Sequence, residues 1–374
     1  MDAITDESPE CRALLPATAS TFFQHFSPRS PSTSKPSSLQ HQLSSQATDS
    51  VFKASLQLAK EMKKVDGGLA LAHLSSVSAP RAWTWKVVAP TSHEVTLSDA
   101  EYRIAARLNL GLRPMAGAAT MPDVCVLCKA SKTNLNSIRD DPWHFLSCPK
   151  LMGGELSTRH NEVGRALYRC ALLMGIRAQY EPRGLDPNSD LRPDVLLTLP
   201  GRHILTDVAI THSLAPGTVS NGRSTRTLGR ARDVESVKRT KYLDLSSLRH
   251  YEQLPFVVET CGGVGPSANA LIKTMADASE DHLAMWSKEA IIRELVGSVA
   301  IAVQRGGAIA YLDGYDKTLY AVRVAAAATV SKKKIGGRSK AEEERYGVEE
   351  ERDGEVLEED GGEDEEGGVM AAAA

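Results

Sequence analysis

The chain has 374 residues, 42% hydrophobic and 24% charged, enough apolar chain for one or two packed cores, which excludes a peptide or a wholly disordered protein. Its formal charge of −3 averages two unlike parts: residues 341–374 carry 15 acids against Arg345 and Arg352, a net of −13, leaving residues 1–340 at +10. A basic folded part suits a polyanionic partner and excludes reading the near-neutral total as indifference to one.

Residues 1–50 are dense in Ser, Thr, Pro and Gln, with few apolar residues beyond Phe22 and Phe23, and read as a disordered tail. Met1 to Asp6 lack the basic and apolar regions of a secretory signal, so the six cysteines are expected in a reducing compartment, without disulfides. A helical lead-in is expected over 51–122. Its first helix runs from Val51 to about Leu74 on Phe52, Leu56, Leu58 and Met62, punctuated by Gly67-Gly68. Past Trp83 and Trp85, Leu97-Ser98-Asp99 with Glu101 has the spacing of a capping box and opens a second helix, with Ile104, Leu108 and Leu110 on its apolar side.

Segment 123–150 holds a cysteine/histidine cluster. Cys125 and Cys128 form a C-x2-C pair, fifteen residues separate Cys128 from His144, and three separate His144 from Cys148. Thiolate and imidazole are the ligands tetrahedral zinc prefers, and two close pairs joined by a loop can converge on one ion. The same thiols also read as ordinary buried cysteines, like Cys11, Cys170 and Cys261, and a C-x2-C pair alone reads as a redox pair. Three thiolates and one imidazole complete the shell, so zinc bound here is structural.

Residues 155–305 alternate helix and strand, which indicates an α/β fold with a mixed sheet flanked by helices. We expect a helix from Asn161 to about Ile176, strands near 178–183, 192–199 and 202–211, and a polar loop at 213–230. A helix from about Arg232 to Leu248, a strand at 254–260 and helices from Ser267 to about Val303 complete it. The best apolar run, Val296 to Val303, is far shorter than the ~20 residues of a membrane span, so no membrane partner is expected. An extension covers 306–330. Residues 331–374 open on Lys332, Lys333 and Lys334 and end as an acidic disordered tail.

Two acids stand out. Pro200-Gly201 suits the central positions of a type II turn, so Leu199 pairs with Arg202 and paired positions sum to 401; Asp194 and Asp207 then face each other across a hairpin. Two carboxylates so close repel unless a cation lies between them, and Mg²⁺ favours carboxylate oxygens. Acids at this spacing are also common as surface charges, and a slip of one residue separates their faces. In the next helix Val234, Val237, Leu245 and Leu248 mark an apolar stripe on which Lys241 falls, while Lys238 lies one turn before Tyr242. A lysine on the buried side needs an acidic partner; alternatively both lysines snorkel to solvent.

Taken together, the cysteine cluster, Arg159-His160-Asn161, Arg192-Pro193-Asp194 with a second acid thirteen residues on, Lys238-Arg239-Thr240-Lys241-Tyr242, and Phe256-Val257-Val258-Glu259-Thr260 with Gly262-Gly263 resemble the C-terminal part of site-specific non-LTR retrotransposon polyproteins. There a CCHC zinc knuckle precedes a restriction-like endonuclease of the PD-(D/E)XK class. The resemblance spans roughly 80–305 and is most specific over 125–242.

It implies a nuclear, metal-dependent endodeoxyribonuclease that nicks target DNA. Carried over, Asp194 and Asp207 hold Mg²⁺ or Mn²⁺, and a lysine of the Lys238/Lys241 pair, displaced from the usual place two residues after the second acid where Ala209 stands, assists catalysis. His160, Glu259 and Tyr242 are support candidates. Arg223, Arg226, Arg230 and Arg232 are expected phosphate contacts. No Tyr-x-Asp-Asp motif of a reverse-transcriptase palm occurs, so partners beyond DNA include element RNA or a reverse transcriptase supplied in trans. The rival expectation is a catalytically inactive remnant that binds nucleic acid through the knuckle and the basic surface.

Overall fold

The computed structural model describes residues 64–115, 121–128, 138–139, 141–186, 191–279 and 286–346, with isolated positions at 53, 54, 57 and 61. The expected tails over 1–50 and beyond 346 lie outside the described residues. The chain divides into two compact units, Met1–Val322 and Arg323–Ala374, and the described part of the second is the end of one long helix.

The first unit is mixed α/β. Helix α1 (Lys64–Val77) runs straight through Gly67-Gly68, and α2 (Asp99–Asn109) begins at Ser98. The capping box there is complete, with both the Ser98 side chain and the Glu101 carboxylate bonded to backbone N–H groups. Ile104 and Leu108 face inward as expected, whereas Leu110 ends the helix and is exposed. Past the cysteine segment, α3 (Glu155–Leu173) packs Val163, Ala166, Leu167 and Cys170 into the main core.

Strands β1 (Arg177–Tyr180), β2 (Val195–Leu199) and β3 (Arg202–Thr206) form an antiparallel run, and β5 (Glu252–Gln253) adds to β3 in parallel. The β2–β3 register pairs Leu199 with Arg202 and Val195 with Thr206, as the turn chemistry requires, and Gly201 supplies the positive φ of +73° that a type II turn demands. The expected single strand over 202–211 is broken. β3 stops at Thr206, and β4 (Val208–Thr211) joins a second, parallel pair with β6 (Phe256–Glu259). Asp207 is the residue at the break. Backbone bonds from Leu254 N–H to Leu205 O and from Phe256 N–H to Asp207 O carry the pairing across it.

Between β4 and β5 lie α4 (Pro216–Ser220), a 3-10 turn at Arg223–Thr225, α5 (Gly229–Lys241) and α6 (Leu243–Arg249). The segment expected as a polar loop is thus partly helical, and the single helix expected to Leu248 breaks at Tyr242. α7 (Pro266–Ala278) and α8 (Lys288–Tyr346) follow. The 59-residue α8 corrects the expected end near Val303: Gly297, Gly306 and Gly307 all lie inside it. Lys288–Ala328 contains an 18-residue window of mean hydropathy 1.4, long and apolar enough to cross a membrane, yet 78% of that window is buried. Core packing by Ile291, Leu295, Val299 and Val303 accounts for its apolar character.

Candidate functional site

Cys125, Cys128, His144 and Cys148 converge, all buried, with ligand atoms within 4.8 Å of one another. Tetrahedral zinc with Zn–S near 2.3 Å sets such atoms roughly 3.5–3.8 Å apart, so the four fit one ion. His144 opens a 3-10 turn (His144–Leu146) that brings it beside the C-x2-C pair, its Nε2 3.2 Å from Cys128 Sγ. Hydrogen bonding from Cys148 pulls the Cys125 thiol down to about 3, while burial pushes Cys128 up to about 11 and the Cys125 interaction raises Cys148 further. The thiolate is the form that binds a metal, and the pull on Cys125 favours it. The centre shares its core with α1, α2 and α8, through Ala72, Ile104, Leu108, Ala308 and Tyr311. Sequence spacing missed Asp141, whose carboxyl lies 3.9 Å from His144 Nδ1 and is pushed up to about 7 by burial.

The second group of residues gathers at the strand break. Asp194 precedes β2, where its N–H bonds Thr206 O and the regular 401 register ends. Its Oδ2 accepts from Val208 N–H at 2.6 Å, taking the place of a ladder partner, and its Oδ1 lies 3.0 Å from His160 Nε2 on α3. Asp207 is buried. Its Oδ1 accepts from the Tyr242 hydroxyl at 2.7 Å with Lys241 Nζ at 3.9 Å, and its Oδ2 pairs with Lys238 Nζ. Burial first, then the Asp207 charge, raises the Tyr242 phenol far above its ordinary value, so it stays a donor. The Asp194 charge acts in the same direction, so both carboxylates act on this hydroxyl. Pro193, Thr206, Asp207, Lys238, Tyr242 and Gln253 line a small recess here.

The phase expected for α5, with Lys241 on its inner stripe, is not the observed one. Val237 and Leu248, placed on the inner stripe by periodicity, are 68% and 57% exposed. The inward face of α5 is instead Ala231, Glu235, Lys238 and Tyr242, at 4-3-4 spacing; Glu235 is held there because its carboxylate accepts the Ser267 N–H at the start of α7. Lys238 is 22% exposed and Lys241 44%. Lys238 is therefore the nearer cation.

Glu259 is not brought to this group. It pairs with Thr211, four residues along β4 from Asp207 or roughly 13 Å at strand rise. There it is buried, raised above the usual carboxylate range by that burial, and accepts from Ser76 on α1 at 2.9 Å. Arg226, Arg230 and Arg232 lie at or before the opposite end of α5 from Lys238, and Arg223 pairs with Asp233 at 3.3 Å. Arg159, next to His160, is buried and donates to Leu146 O at 3.2 Å, so α3 touches both sites through consecutive residues. Nearby His212 is buried and pushed down to about 3 by burial first, then by the Arg159 charge.

A scan against protein-family models and a search of curated proteins give no match to this chain.

Proposed function

We propose that the chain is a metal-dependent DNA endonuclease of retrotransposon origin, with a restriction-like core behind a structural zinc centre, acting in the nucleus. The observation that carries this reading is the convergence of His160, Asp194, Asp207, Lys238 and Tyr242 at one strand break. Asp194 and Asp207 would hold Mg²⁺ or Mn²⁺, which would supply neutralisation of the scissile phosphate and acidification of an attacking water. His160 and the Val208 N–H fix the Asp194 carboxylate, Tyr242 fixes Asp207, and Lys238 beside Asp207 would offer its charge to a phosphate there. DNA is the substrate; element RNA or a reverse transcriptase supplied in trans completes the set of partners.

Purified protein with supercoiled plasmid is expected to give nicked circles with Mg²⁺ or Mn²⁺, none with chelator, and none for Asp194→Ala or Asp207→Ala. Nicking that persists undiminished in both variants refutes the assignment. A second reading is favoured by one observation: all four carboxylate oxygens already have protein partners. On that reading the acids are structural and the chain is an inactive nucleic-acid binder, which would bind duplex DNA in the same preparation and never nick it.

A further inference from the structure

We propose that Asp141 is a positioning residue of the zinc centre: with the metal bound, the 3.9 Å gap closes, Oδ2 accepts a hydrogen bond from His144 Nδ1–H, and Nε2 is presented to the metal. The inference concerns the Cys3His centre alone and is independent of the nuclease reading. His144 is buried, and its two ring nitrogens face different ways: Nε2 lies 3.2 Å from Cys128 Sγ, and Nδ1 faces Asp141 Oδ2 at 3.9 Å. An imidazole that gives Nε2 to a metal carries its proton on Nδ1, and a buried N–H without an acceptor is costly. Asp141 has the complementary need. Its Oδ1 accepts from Trp143 N–H at 3.2 Å, while its buried Oδ2 has no hydrogen-bond partner among the described residues.

The backbone makes the pairing local. His144 N–H bonds Asp141 O at 3.1 Å, closing a turn that brings position i over position i+3, so the carboxyl travels with the ligand it orients. The aromatic wall of Phe145 and Trp143 against Tyr311 fixes the turn from the other side, with ring centroids 5.4 and 5.6 Å apart. An asparagine has one acceptor oxygen and can turn it to Nδ1–H only by giving up the Trp143 N–H bond, whereas a serine hydroxyl can replace the turn bond to Trp143 N–H but is too short to reach Nδ1.

That difference provides the test. Zinc affinity of the full chain is measured by competition with a chelating dye under reducing conditions, for wild type, Asp141→Asn and Asp141→Ser. The Ser variant is expected to bind zinc about 10- to 100-fold more weakly than wild type, and the Asn variant to lose less than the Ser variant. Histidine nitrogen NMR of the zinc-loaded wild type is expected to show a metal-bound Nε2 and a slowly exchanging Nδ1–H. Equal affinity of the Ser variant and wild type overturns the proposal, as does an Asn variant weaker than the Ser variant. Should the Ser variant fail to fold, a rapidly exchanging Nδ1–H, or Nδ1 as the metal ligand, in the wild type overturns it by itself.

Discussion

Lys238 and Lys241 are three residues apart and differ in what each can contribute at the strand break. Lys238 emerges from the inward face of α5 and pairs with Asp207 Oδ2, while Lys241, twice as exposed, stops 3.9 Å from Oδ1 and lies over the Tyr242 ring at 4.7 Å. An exposed ammonium at that range is screened and contributes little, whereas a half-buried one at contact acts through a lower effective dielectric. Under the nuclease reading, Lys238→Ala is therefore expected to slow nicking by on the order of 100-fold with little change in DNA affinity, and Lys241→Ala by less than tenfold. Single-turnover nicking rates alongside binding isotherms check this. The reverse order would show that the lysine facing Asp207 in this arrangement is not the one that meets phosphate.

At the scale of elements, α8 shows how packing overrides the local reading of glycine. A Cβ on Gly306 would lie 2.6 Å from Arg159 Cγ and 2.9 Å from Arg159 Cα, whereas one on Gly307 would meet nothing closer than Leu146 Cδ2 at 3.7 Å. Glycine to alanine inside a helix gains about 1 kcal/mol. At Gly306 an overpacking cost of about 1–3 kcal/mol opposes that gain, because a backbone atom of α3 cannot move aside. Gly307→Ala should thus raise the urea midpoint and Gly306→Ala should lower it; equal stabilisation by both would refute the close α3–α8 contact. The same override explains what the sequence concealed. Register at Pro200-Gly201, the Ser98–Glu101 box and the Cys/His spacing were legible because each is a short-range rule with one solution. The break at Asp207 was not, since Val208 N–H finds its acceptor in a side chain fourteen residues away. Nor was the phase of α5, whose inward face carries Glu235, Lys238 and Tyr242, so hydrophobic periodicity points to the wrong side; an acid and a base three residues apart on one face were the available signal.

For the whole molecule, the charge distribution sets how it meets a polyanion. Residues 1–340 carry +10 and residues 341–374 carry −13, so under the nucleic-acid reading a duplex is expected to compete with the chain's own acids. If Arg223, Arg226, Arg230 and Arg232 each neutralise a phosphate, release of roughly four counterions gives a log–log salt slope near −3.6, or about a 100-fold loss of affinity between 50 and 200 mM salt. Arg223 is already paired with Asp233, so Arg226→Ala should lower the slope by about 1 and Arg223→Ala by less. Removing residues 342–374 takes away 15 acids and is expected to tighten binding most at low salt, where the competing field is least screened. Fluorescence anisotropy on one duplex across salt, for the full chain, the two arginine variants and the truncation, measures all of this. A flat salt dependence in the full chain would remove the nucleic-acid reading itself, while a steep slope unchanged by truncation would leave that reading intact and discard only the competition by the acidic segment.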